Sequence, residues 1–148
     1  MQEHNEALLQ LKLLNKAAQT LSQEGYSAKV FNQMQAALHF IEEEVGVHNH
    51  KEEAALFPVL ERYVDGPTKL MRDDHRQLRK GFQQLSKAIA EVSKNRDSFS
   101  AIKRLRLVVK TVVQMFVNHI HKENYILFPL VQKLLTKEEL REVATLML

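Results

Sequence analysis

The sequence predicts an all-α protein, an up-down-up-down bundle of four helices followed by a short C-terminal helix. Apolar residues recur at three- and four-residue intervals through four long segments, which is the pattern of helices that bury one face. The 148 residues include only 4 Gly and 3 Pro, so turns are few and the helices between them are long. No segment has the alternating pattern of a strand or hairpin. Four amphipathic helices with short connections pack most simply as a bundle.

The first two predicted helices are joined by a turn at residues 24–27, where Gly25 interrupts the pattern. The apolar stripe of the first helix consists of Leu8, Leu11, Ala18 and Leu21. The stripe of the second helix is longer and contains two polar residues; it consists of Phe31, Met34, Leu38, Ile41, Val45, His48, Glu52, Leu56, Val59 and Tyr63. Both stripes are expected to face a common core.

The third and fourth predicted helices follow a break at residues 65–68, Asp-Gly-Pro-Thr, which suits a helix stop and a new start. The third stripe consists of His75, Leu78, Phe82, Leu85, Ile89 and Val92. After a polar break at residues 95–98, the fourth consists of Ile102, Leu105, Val109, Val112, Phe116, His119, Glu123, Ile126 and Leu130. Residues 136–139, Thr-Lys-Glu-Glu, resemble a capping box that opens a short last helix.

Composition and charge limit the class of protein. With 45% hydrophobic and 26% charged residues, the chain is expected to fold as one domain over residues 1–148, built from two helix-pair repeats at about 1–64 and 66–135. The absence of cysteine excludes disulfides, thiolate metal sites and iron–sulfur clusters bound by this chain. No apolar run is long enough for a membrane span, and the net charge of +3 is mild. We therefore expect a cytoplasmic protein with neither membrane nor nucleic acid as a partner.

Polar residues interrupt the apolar stripes in a repeated pattern. The segment HNHKEEAALFP at residues 48–58 returns as HIHKENYILFP at residues 119–129. His48 follows His4 by 44 positions, His119 follows His75 by 44 positions, and the two halves are offset by 71 positions. Burial of these residues without partners would be costly. The residues of this repeated polar set are His4, His48, Glu52, His75, His119 and Glu123.

The spacing within the repeat predicts a shared metal site. Residues four positions apart lie on one face of a helix, so each His-Glu pair points the same way. Two antiparallel helix pairs would then bring four imidazoles and two carboxylates into one layer of the core. That set is what a carboxylate-bridged dinuclear site requires, and its nitrogen and oxygen donors suit iron, manganese or zinc.

The order of these residues resembles the hemerythrin-like (HHE cation-binding) domain family: one His, then His-x-x-x-Glu ending in Leu-Phe-Pro, and the same again. The resemblance covers essentially the whole chain. It implies a four-helix bundle holding two iron ions with an oxo or hydroxo bridge. It also implies that four histidines, His4, His48, His75 and His119, are terminal ligands, and that two glutamates, Glu52 and Glu123, bridge the metals.

One position departs from the oxygen-carrying members of that family. They have a fifth histidine where this chain has Arg79. The set of four His and two Glu is closer to the hemerythrin-like domains of iron-sensing and iron–sulfur repair proteins. Repair proteins of this kind also carry a cysteine-containing segment, and this chain has no cysteine. Simple oxygen storage and stand-alone repair are both weakened as interpretations.

Three functions are compatible with such a centre. The favoured hypothesis is a non-haem di-iron protein that binds or senses a small ligand, dioxygen or nitric oxide, or responds to redox or iron status. A sensing role would also need a protein partner for signalling. The alternative is a di-iron enzyme acting on peroxide or nitric oxide, or an iron donor for cluster repair. A structural bundle with an incidental zinc ion is the third.

Residues beside the predicted ligands have simpler interpretations. His50 and His121 lie two positions after a ligand and should point away from it, to the surface or to an outer position. A rival ligand pair of His50 with Glu53 has no counterpart in the second half, because residue 124 is Asn. The prolines at positions 58 and 129 each remove an N–H, which predicts a kink or a helix end near the site.

Overall fold

Helices make up nearly all of the chain. The computed structural model describes the backbone of residues 2–147 and the side chains of residues 5–147, and no strand occurs in that part. The helices are α1 (Gln2–Glu24), α2 (Ala28–Lys51), α3 (Phe57–Leu60), α4 (Gly66–Lys94), α5 (Phe99–Lys122), α6 (Phe128–Leu134) and α7 (Lys137–Leu146). The four long helices form a bundle in which α1 packs along α2 and α5, and α4 packs along α5. The predicted all-α bundle with a short C-terminal helix is confirmed.

The helix ends follow from local capping chemistry. Gly25 has a φ of +87°, a conformation that favours glycine, and it closes α1. The Ser27 hydroxyl accepts a hydrogen bond from the N–H of Val30 at the start of α2. The Ser98 hydroxyl does the same for α5. At the start of α7, the predicted capping box at residues 136–139 is confirmed, since Thr136 and Glu139 exchange hydrogen bonds.

Each helix that carries a His-Glu pair passes into a π-helical turn at its glutamate. These turns are Glu52–Leu56 after α2 and Glu123–Leu127 after α5, called the first and second π turn. In both, the phenylalanine N–H that follows donates to the glutamate carbonyl five residues earlier. The next residue is proline, which has no N–H and would collide with an α-helical carbonyl. The wider π turn removes that conflict where the sequence predicts a kink or a helix end.

The structure corrects two details of the predicted apolar stripes. Residues four positions apart share a face in a π turn, so the residue buried with Glu123 is Leu127 and not Ile126. Ile126 is 45% exposed, whereas its neighbour Leu127 is fully buried. Tyr63 is also exposed, because it lies in the turn after α3 and its hydroxyl donates to the Glu139 carboxylate of α7. The predicted burial of Ile126 and Tyr63 is wrong.

The apolar core has two parts with a polar layer between them. The larger part runs along the four long helices, and the smaller part lies at the bundle end, where α3, α6 and α7 pack together. The buried polar residues that separate them include Glu52, His75, His119 and Glu123. Apolar packing on both sides therefore buries these four side chains almost completely.

No helix in residues 2–147 is long and apolar enough to cross a membrane.

Candidate metal centre

Four of the six predicted ligands form one compact cluster. Glu52 and Glu123 begin the two π turns, His75 lies on α4 and His119 on α5. All four side chains are at least 97% buried. One potential ligand atom from each lies within 4.8 Å of the corresponding atoms of the other three. The two halves of the chain therefore meet at this cluster.

His48 lies beside the cluster and is more accessible than the others, with 20% of its side chain exposed. Its Nε2 atom is 3.4 Å from Oε1 of Glu52 and 3.5 Å from Oε1 of Glu123. His4 belongs to the first turn of α1, but its side chain lies outside the described residues. The ligand set of six residues stays a prediction.

Both buried glutamates are shared between the halves of the chain. Oε1 of Glu52 is 3.4 Å from Nε2 of His48 and 3.4 Å from Nε2 of His75. Oε1 of Glu123 is 3.5 Å from Nε2 of His48 and 3.0 Å from Nε2 of His119. Each carboxylate thus has one histidine of the first helix pair and one of the second beside it. Both carboxylates are therefore placed to bind a cation together with histidines of both halves.

The donor atoms fit a bound cation better than they fit one another. Among the described residues, both oxygens of Glu52 and the Nε2 atoms of His75 and His119 are buried and form no hydrogen bond. Burying polar atoms without a hydrogen bond is costly, even where an oppositely charged atom lies close by. Ligand atoms about 2.1 Å from one metal ion, at right angles to each other, are separated by about 3 Å. Separations of 3.0–3.4 Å between Glu and His atoms therefore suit ligands around a common ion.

The electrostatic field of the cluster favours positive charge. Burial disfavours a charged imidazole at His48, but the adjacent Glu123 and Glu52 carboxylates outweigh that effect and raise the pKa of His48 to about 11. Burial likewise opposes charge on His119, while Glu123 and Asp74 raise its pKa above the ordinary value. A cation bound here would displace these protons, so metal binding should release protons.

Two carboxylates outside the predicted ligand set contact Nδ1 of His75 and Nδ1 of His119, which are the ring nitrogens on the side away from the cluster. Oε1 of Glu53 is 2.9 Å from Nδ1 of His75, and Oδ2 of Asp74 is 3.1 Å from Nδ1 of His119. Lys122 donates to both oxygens of Asp74 at 3.1 Å. The sequence carries only a weak signal for these two residues, since acidic residues next to a ligand are also common on exposed helix surfaces.

A small cavity adjoins the cluster on the side of His48. Its volume is about 30 Å³, and its walls include Ala7, Val45, Phe116 and Ile120 together with His48 and Glu123. About 10–15 Å³ of such space is enough for one water molecule. The cavity can therefore hold a water or a diatomic molecule beside the predicted metal ligands.

The remaining histidines and Arg79 lie away from the cluster. His50 and His121 are exposed, and the ring of His121 packs 4.3 Å from the ring of Tyr125. The Nε2 atom of His39 is 3.2 Å from Oε1 of Glu43 on the surface. Arg79 lines a surface groove of about 370 Å³ between α2 and α4, with its guanidinium 3.9 Å from Oε1 of Glu53. None of these side chains supplies a donor atom to the cluster.

Comparison with known proteins agrees with this geometry. A search of curated proteins found no match to this sequence. The sequence does match the family described as Hemerythrin HHE cation binding domain, over residues 1–131. The match spans both helix pairs and every predicted ligand. Its description agrees with a buried His and Glu cluster that favours positive charge. The chain therefore belongs to the hemerythrin HHE cation-binding domain family.

Proposed function

We propose that this protein is a non-haem di-iron protein that binds or senses a small ligand, with dioxygen and nitric oxide as the expected ligands. The observation that carries the proposal is the sharing of Glu52 and Glu123 between His48 of the first helix pair and His75 or His119 of the second. The proposed metal ligands are His4, His48, Glu52, His75, His119 and Glu123.

The donor set supports iron. Imidazole and carboxylate donors without sulfur suit iron, with manganese and zinc as the other metals that such a set accepts. Iron bound here would supply a redox-active centre with a coordination position for a small ligand. Glu52 and Glu123 would offset much of the metal charge, and the apolar clusters on both sides strengthen that attraction by excluding water.

The cavity supports an uncharged diatomic molecule as the ligand. Its position beside His48 and Glu123 places any bound molecule next to the proposed centre. Apolar walls such as Val45 and Phe116 favour a ligand that loses little hydration on binding. A charged ligand would have to be desolvated in the same space, which costs more free energy.

The test is a titration of reduced, iron-loaded protein with nitric oxide and with dioxygen, followed by visible absorption. We expect a saturable change with one ligand bound per pair of irons. His119→Ala should lose the change together with iron while keeping its helix content, because the bundle has many other apolar contacts. His121→Ala is the matched control, since that imidazole is exposed two residues away and should leave both unchanged.

Two results would contradict the proposal. If iron-loaded protein shows no change in absorption with either gas, the proposed ligand binding is wrong. Steady-state consumption of peroxide or nitric oxide far above that of free iron would instead assign the centre to an enzyme. Comparison of His119→Ala with His121→Ala shows whether a response comes from the buried centre, since iron bound nonspecifically at the surface would respond equally in both variants.

A further inference from the structure

We propose that Glu53 and Asp74 are positioning residues of the metal centre, each fixing the tautomer and orientation of one histidine and strengthening its bond to the cation. The inference rests on the proposed metal binding, but it requires neither iron nor a diatomic ligand. Neither residue belongs to the predicted ligand set, and the counterpart of Glu53 at an offset of 71 is Asn124. The counterpart of Asp74 is Glu3, which is also acidic.

His75 lies between two successive carboxylates of the first π turn. Oε1 of Glu52 is 3.4 Å from Nε2 of the ring, and Oε1 of Glu53 is 2.9 Å from Nδ1. An ionised carboxylate only accepts hydrogen bonds, so the contact with Glu53 requires a proton on Nδ1. With Nδ1 protonated, the neutral ring offers its Nε2 lone pair to a cation bound in the cluster. The Phe57 ring stacks on the imidazole at 5.7 Å between centroids and restricts the plane of the ring further.

His119 has the same arrangement, built from different elements. Oε1 of Glu123 is 3.0 Å from Nε2, and Oδ2 of Asp74 is 3.1 Å from Nδ1. Asp74 lies on α4 and His119 on α5, so this contact also joins two helices. The ammonium of Lys122 contacts both oxygens of Asp74 and holds the carboxylate in place. When a cation replaces the proton at Nε2 of His119, the contact with Asp74 keeps the remaining ring proton on Nδ1.

The charge on these carboxylates should strengthen metal binding as well as orient the rings. A hydrogen bond from Nδ1–H to an anion makes the imidazole a better donor at Nε2. Loss of such a partner typically lowers metal affinity by about 10- to 100-fold. Asp74 is held at two positions by Lys122, whereas Glu53 has the guanidinium of Arg79 only at 3.9 Å. Removing Asp74 should therefore have the larger effect.

The experiment uses cobalt(II) and zinc(II) as probes in the full chain. Asp74→Asn and Glu53→Gln keep the size of each side chain and remove its charge. Asp73→Asn is the matched control, because Asp73 precedes Asp74 and pairs with Arg76 on the surface. The first measurement is the rate at which a chelator removes cobalt, and the second is the imidazole N–H signal of the zinc-loaded protein by nuclear magnetic resonance.

We expect Asp74→Asn to release cobalt about tenfold faster than the wild type, at the lower end of the usual effect. Glu53→Gln should show a smaller increase, and Asp73→Asn should stay within about twofold. In the zinc-loaded protein, Asp74→Asn should shift the N–H signal of His119 alone, and Glu53→Gln that of His75 alone. If Asp74 and Glu53 only stabilised the fold, each variant would not shift the N–H signal of a single histidine.

Unchanged release rates with unchanged N–H signals would overturn the inference. So would an equal loss of thermal stability in metal-free and metal-bound protein without faster release, since that would make Asp74 and Glu53 structural only. If the cobalt results are as expected and the iron-loaded protein binds neither gas, the proposed function fails and this inference stands.

Discussion

The first π turn reads Glu-Glu-Ala-Ala-Leu and the second reads Glu-Asn-Tyr-Ile-Leu. Both begin with a glutamate that lies between histidines of the two halves, and both are followed by Phe-Pro. Their second residues differ in what they contact. Glu53 binds the outer nitrogen of His75, whereas Asn124 is exposed. Both halves therefore keep the glutamate of the cluster, whereas the carboxylate next to it, Glu53, occurs in the first π turn only.

The packing after the two π turns also differs. After the first, Phe57, Val59 and Leu60 are all buried in the smaller core cluster. In the second π turn and the helix α6 after it, Tyr125 and Ile126 are exposed and Val131 is buried. Equal sequence spacing thus produces a firmly packed turn in one half and a more accessible one in the other. Changes at the second turn should consequently affect the cluster more.

Removing the metal should have the largest effect and should fall mainly on the first half. A ligand present at about 1,000 times its Kd stabilises the folded state by about 4 kcal/mol, and a chelator would abolish that contribution. His4 is predicted to bind metal from the first turn of α1, where helix ends fray readily, whereas His75 lies in the interior of α4. We therefore expect proteases to cut α1 of metal-free protein before α4. The measurements are the unfolding temperature and limited proteolysis with and without metal. Equal unfolding temperatures would contradict the expectation.

Replacing the prolines should have a smaller effect that distinguishes the two turns. Pro58→Ala and Pro129→Ala restore an N–H and enlarge the conformational freedom of the unfolded chain, so each should lower the free energy of unfolding by about 0.4–1 kcal/mol. The buried residues after the first turn should hold its register. Pro129→Ala should therefore speed metal release several-fold and Pro58→Ala hardly at all, as measured by chelator competition. The reverse order would contradict the packing comparison.

Sequence periodicity was sufficient for the helices and for the cluster of Glu52, His75, His119 and Glu123, because both depend on spacing along the chain. It could not supply the π turns, since one extra residue within a turn leaves composition and spacing unchanged. The prediction of a buried Ile126 was wrong, because the buried residue is Leu127, four positions after Glu123, as Leu56 is four positions after Glu52.

The supporting carboxylates lay beyond sequence reasoning for another reason. Asp73 and Asp74 are adjacent and chemically identical, yet Asp73 pairs with Arg76 on the surface and Asp74 contacts His119. Only the packing of α4 against α5 decides which of them reaches the cluster. Glu53 was visible in the sequence as a rival ligand, but its contact with Nδ1 of His75 depends on the first π turn.

The central claim is that two helix pairs deliver ligands to one dinuclear site. Its most direct test is the metal content per chain of freshly purified protein, measured by elemental analysis. The shared glutamates, Glu52 and Glu123, predict close to two irons per chain. No iron after reconstitution, or a single loosely held zinc, would contradict the claim and leave only the helical bundle.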